Sequence, residues 1–127
     1  IEAAIEDPLE FDNVMYTYHF YAKYSEGGFD RRLNRAREKG IGVFVSEWGL
    51  SSDYDQDKLE KLMVKSEEFL DYLDKTKTSW VCWALSNKEE GHSLLRPDSR
   101  RWSGWSKDEL TEYGKFIFDR LSKSGES

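Results

Sequence analysis

Three short apolar runs, each followed by a helical pattern, limit what this chain can fold into. The first run covers residues 13–21 (NVMYTYHFY), and its aromatic and β-branched content suits a strand. A helical stretch follows from near Phe29 to Lys39, with Leu33 and Ala36 turned inward and Gly40 as its stop. The second run, Val43 to Glu47, is continuously apolar until it reaches Ser46-Glu47-Trp48-Gly49, as in a strand covered on both faces. From Asp57 to Lys75 the positions Leu59, Leu62, Met63, Phe69, Leu70 and Leu73 keep the helical period. The third run is Trp80 to Leu85, and a long polar loop from Ser86 to about Trp105 follows it. Ser106 and Glu109 form a capping-box pattern ahead of a final helix carrying Leu110, Tyr113, Phe116, Ile117 and Leu121. Residues 1–5 read as the end of an earlier helix, and residues 123–127 as a frayed tail. The order β-α-β-α-β-α predicts an α/β chain with a parallel sheet and right-handed crossovers.

Charge and composition narrow the function. The net charge of −6 is the wrong sign for a nucleic-acid footprint. No apolar run approaches the ~20 residues of a membrane span, so a membrane partner is not expected. Aromatic residues make up 15% of the chain, with five Trp and seven Tyr, enough for a large core or a stacking surface for a ringed ligand. The single cysteine, Cys82, lies in an apolar run and reads as core filler. Two His and one Cys give no metal-ligand spacing. The chain opens at Ile1 without an initiator Met or signal peptide, which suggests that something upstream was removed.

All three apolar runs end in groups with chemistry. The first ends in His19-Phe20-Tyr21, the second in Glu47-Trp48, and the third contains Trp83 and leads to Lys88 and Glu90. Parallel strands wound into a barrel bring these ends to one face. A His, a Tyr, a carboxylate and a Trp together suit sugar chemistry, with the indole stacking on a pyranose face. Each residue also has a plainer reading. His19 suits a structural hydrogen bond, Glu47 an ion pair with an arginine, and Trp83 the core. Lys88 and Glu90 suit solvated loop charges. A carboxylate at the tip of a buried strand still demands a partner.

These residues carry a resemblance. The segments 13–22, 43–49 and 79–86, together with Lys88, Glu90, residues 104–106 and residues 110–112, resemble the C-terminal part of the catalytic domain of family-five glycoside hydrolases. Bacterial endo-β-1,4-glucanases (cellulases) are the nearest in kind. The resemblance implies a partial (β/α)8 TIM barrel, with strands six to eight and their helices, making residues 1–127 the C-terminal portion of one barrel domain. It implies Glu47 as the catalytic nucleophile, with His19 and Tyr21 supporting it. Trp83 would stack under the sugar beside the scissile bond, and Lys88 and Glu90 would bind sugars further along the glycone side. Trp48, next to the nucleophile, joins the predicted substrate-binding set. Asn87 stands where many relatives have Asp, and Ala84 where many have Ser.

One expected piece is absent. Relatives carry the general acid/base Glu in an Asn-Glu-Pro motif on their fourth strand, and no Asn-Glu dipeptide occurs here. Retaining glycosidases need two carboxyl groups roughly 5–5.5 Å apart, and no cofactor. The chain alone is therefore expected to be inactive. The barrel is expected to be completed by the N-terminal portion of the same enzyme or by self-association. A non-catalytic half-barrel that binds oligosaccharide or self-assembles is the alternative. A polysaccharide or oligosaccharide substrate and secretion follow from the resemblance.

Overall fold

The computed structural model describes residues 1–25, 27–53 and 55–124. Three strands, β1 (Tyr16–Tyr21), β2 (Val43–Gly49) and β3 (Trp80–Cys82), form one parallel sheet in the order β1-β2-β3. Four α-helices accompany them among the described residues: α1 (Glu2–Glu6), α2 (Phe29–Glu38), α3 (Gln56–Lys75) and α4 (Glu112–Ser124). The sheet does not close on itself. The result is an α/β arrangement of three parallel strands flanked by helices, consistent with an incomplete barrel-like fold.

One core joins sheet and helices. Phe20, Val45 and Trp48 from the strands meet Leu33 of α2, Phe69, Leu70 and Leu73 of α3, and Tyr113 and Ile117 of α4. Aromatic rings dominate it. Phe20 stacks on Phe69 with centroids 3.9 Å apart. Trp48 meets Phe69, Trp80 and Tyr113 edge-to-face at 6.2, 5.8 and 5.9 Å. Such edge contacts place the positive ring edge on the negative face of the neighbour. Cys82 also packs against this core, and burial pushes its thiol pKa up. Gly40 takes a left-handed φ of 71° just past α2, where a side chain would be strained. At the start of α3 the Asp55 carboxylate accepts from the Lys58 N–H at 3.4 Å.

The structure revises several element boundaries. The first strand begins at Tyr16 rather than Asn13, and the third ends at Cys82 rather than Leu85. The capping box at Ser106 and Glu109 is present, but it caps a 3-10 turn, Lys107–Glu109. Leu110 then goes extended and pairs antiparallel with Leu95, so α4 starts only at Glu112. Helix α4 includes Lys123 and Ser124, and residues 125–127 of the tail lie outside the described residues. The segment after β3 is a loop, yet it is firmly seated. Ala84 donates to His92 O at 2.9 Å, and Leu94 donates back to Ala84 O at 3.1 Å. Two glycines permit close approach. A Cβ on Gly91 would lie 2.1 Å from Asp53 O, and one on Gly114 would lie 2.0 Å from Leu94 O. That second contact explains a glycine inside a helix, where it ordinarily costs about 1 kcal/mol relative to Ala.

Candidate active site

The site is made by an extra residue in β2. Against β1, Thr17 pairs with Phe44 and His19 with Glu47, so two steps on β1 match three on β2. Against β3 the same surplus recurs, because Val45 pairs with Trp80 and Trp48 with Cys82. Both neighbours thus detect a bulge in β2 between Val45 and Trp48. Strict alternation would separate Ser46 and Glu47 onto opposite faces. The bulge instead leaves Val45 and Trp48 both in the core, with Ser46 and Glu47 both on the face away from the helices.

That face already holds His19 and Tyr21, two residues apart on β1. His19 Nε2 lies 3.1 Å from Ser46 Oγ. The Tyr21 hydroxyl donates to Glu47 Oε1 in a short hydrogen bond. Glu47 therefore has a tyrosine rather than an arginine as its partner. Burial raises the Tyr21 pKa well above its ordinary value, and the hydrogen bond and the Glu47 charge raise it further. The phenol stays protonated and remains a donor through the neutral and mildly alkaline range.

Trp83 follows β3 directly, and its N–H donates to Trp48 O at 2.7 Å. Its residue is 45% exposed, so it is a surface indole rather than core. Gly49 holds the pieces together. A Cβ there would lie 3.1 Å from Trp83 O, 3.2 Å from His92 Cβ and 3.3 Å from Tyr21 Cε1. Glu90 is within 2.9 Å of His92 Nε2 through its Oε2. Lys88 keeps an exposed side chain on the same loop, and its N–H donates to Ser86 Oγ.

Trp48 departs from the predicted set. It is 0% exposed and surrounded by Phe69, Trp80 and Tyr113. No sugar reaches it, and the expectation that it binds substrate is corrected. The cause is the bulge, which turns the residue after Glu47 back into the core. Two site neighbours were not anticipated. Ser46 was visible beside Glu47, but its facing depends on the bulge. His92 lies in a polar stretch, and only the fold of the loop brings it to Tyr21, with ring centroids 6.1 Å apart.

His19 and Tyr21 line a cavity of about 320 Å³ together with Tyr24, Ser25 and Arg32. A cavity of about 620 Å³ lies at the other end of β3, lined by Leu73, Thr78, Trp80 and Arg120 among others, and holds none of these groups. Among the described residues, no three His, Cys, Asp or Glu side chains are grouped to hold a metal ion. No helix among them is long and apolar enough to cross a membrane.

Comparison with known proteins gives this geometry a family. Residues 1–89 match the model of the cellulase family, glycosyl hydrolase family 5, and the chain belongs to that family. It is 33% identical over 117 residues to an endoglucanase of Clostridium saccharobutylicum, covering 92% of this chain and 26% of that protein. It is 34% identical over 125 residues to endoglucanase A of Butyrivibrio fibrisolvens, covering 97% of this chain and 28% of that protein. Among solved structures it superposes on a thermostable, halotolerant GH5 cellulase from an Icelandic hot spring isolate. The TM-score is 0.81 at 30% identity, covering 94% of this chain and 39% of that one. The chain thus spans about a quarter of the length of these curated relatives.

Proposed function

We propose that this chain is the nucleophile-bearing segment of a retaining β-1,4-glucanase, with Glu47 as the nucleophile. One observation carries the reading. Glu47, at the C-terminal end of a parallel strand, shares an uncovered sheet face with Tyr21 and His19 in a chain of family 5. In barrels of parallel strands, chemistry sits at the C-terminal strand ends.

The residues divide the work as follows. Tyr21 donates to Oε1, which orients the carboxylate and leaves Oε2 to attack the anomeric carbon. The attack forms a covalent glycosyl ester as the bond to the leaving oxygen breaks. A second carboxyl group protonates that oxygen and then takes a proton from the water that hydrolyses the ester. That group belongs to polypeptide outside this chain, since none of its carboxylates matches the family's acid/base motif. His19, anchored on Ser46, supports the same face. Trp83 offers its indole to a pyranose ring, while Lys88 and Glu90 hydrogen-bond sugars on the glycone side.

In this reading the three strands are the sixth to eighth of an eight-stranded barrel. Its remaining strands come from the N-terminal portion of the same enzyme, and the enzyme is secreted to reach insoluble glucan. A mechanism-based 2-fluoro glycoside tests the assignment. Mass spectrometry of the enzyme containing this chain is expected to find the label on Glu47. Label on another residue rejects the nucleophile.

A second reading draws on the exposed apolar side chains of β3 and the residue that follows it, Val81 and Trp83. It is a half-barrel that binds oligosaccharide or self-associates without hydrolysis. Cello-oligosaccharide-dependent Trp fluorescence with no reducing sugar released by the enzyme containing this chain would favour it. Hydrolysis abolished by Glu47→Gln would reject it.

A further inference from the structure

The loop after β3 brings a buried histidine behind the candidate sugar-binding face. His92 is 9% exposed and sits over Gly49, the last residue of β2. Its backbone is fixed, because its carbonyl accepts from the Ala84 N–H at 2.9 Å. On one side its ring lies against Tyr21, whose hydroxyl donates to Glu47. On the other, Nε2 reaches Glu90 Oε2 at 2.9 Å. A contiguous series of contacts therefore runs from Glu90 through His92 and Tyr21 to Glu47.

We propose that His92 is a positioning residue that holds the Glu90 carboxylate for sugar binding through an Nε2–H donor. This deepens the reading of the cleft above and rests on it. An ionised carboxylate only accepts, so Nε2 carries the proton. Nδ1 is buried without a partner among the described residues. A neutral ring leaves only a lone pair unpaired there, whereas an imidazolium would bury an unpaired N–H. The geometry thus selects the neutral Nε2–H tautomer. With Oε2 engaged, Oε1 of Glu90 is left to accept from a sugar hydroxyl.

Two measurements test this. The first is the ¹⁵N spectrum of the histidines in the wild-type chain at neutral pH. A protonated, pyrrole-like Nε2 with an unprotonated Nδ1 at His92 is expected; the opposite tautomer overturns the proposal. The second is steady-state kinetics of the enzyme containing this chain on cello-oligosaccharides. His92→Leu keeps an apolar body against Tyr21 but removes the donor. KM should rise about tenfold while kcat changes by less than about threefold. His92→Gln, which returns an amide donor, should restore most of the loss. An unchanged KM in His92→Leu, or no rescue by Gln, overturns the proposal. Wild-type enzyme without glucanase activity would instead overturn the reading on which it rests.

Discussion

On the helix side of the sheet, Phe20, Val45 and Trp48 are sealed among side chains from α2, α3 and α4. On the opposite side the same strands present His19, Tyr21, Ser46 and Glu47, and Trp83 follows β3 with nearly half its surface exposed. The helix side is apolar and ring-packed, where any lost atom leaves a void. The open side is polar and paired through hydrogen bonds, where a changed atom alters chemistry more than stability. The difference teaches that neighbours in sequence can serve opposite ends. Glu47 and Trp48 are adjacent, yet one carries the proposed reaction and the other carries the core.

Substitutions on the two sides should therefore separate activity from stability. The largest effect is expected for Glu47→Gln. In the enzyme containing this chain it should lower kcat by about 10⁴-fold or more, with the urea midpoint of the chain almost unmoved. A large drop in the midpoint would show Glu47 to be structural. Trp48→Ala should do the reverse, destabilising by about 3–5 kcal/mol through the cavity left among three rings. Urea unfolding checks it, and a loss under 1 kcal/mol would mean the core is not organised around this indole. Tyr21→Phe removes one hydrogen bond to a carboxylate. It should cost about 10- to 100-fold in kcat/KM while leaving the folded chain intact by circular dichroism. Wild-type kinetics in that variant would separate Tyr21 from the proposed nucleophile.

The smallest effect is a pH dependence that samples both sides together. Tyr21 on the open face and Tyr113 in the core both have pKa values raised by burial. For Tyr21 the Glu47 carboxylate adds to the shift; for Tyr113, charge at Cys82 and Tyr21 does. In the unfolded chain a tyrosine ionises near pH 10. Above that pH unfolding releases protons that the folded chain keeps, so stability is full below about pH 10 and falls as pH rises beyond it. Tyr113→Phe should flatten this alkaline decline, since it removes a buried hydroxyl without a partner among the described residues. Thermal melts between pH 8 and 11 check it, and an unchanged slope would assign the decline elsewhere.

Periodicity made the alternation of strands and helices legible. Apolar positions at helical spacing placed α3 within one residue of its observed start, and Gly40 marked the end of α2. The run ending at Glu47 showed that a carboxylate stood at a strand tip. The capping box was also readable, but not that the chain would turn extended at Leu110 and delay α4. That delay comes from the Leu95–Leu110 pairing, a contact between residues fifteen positions apart in sequence. Trp48 was misread for a related reason. Its facing depends on the register of β2 against both neighbours, and one extra residue reverses it.

By itself, the sequence determined which residue types reach the strand ends and that those strands lie parallel, because apolar period and turn residues act locally. Tertiary structure alone decided which side chains share the open face and which loop residue stands behind them. The bulge at Ser46-Glu47 and the seat of His92 over Gly49 arise only when distant strands and loops pack together. Local preference is blind to that packing, and the arrangement of the candidate site depends on it.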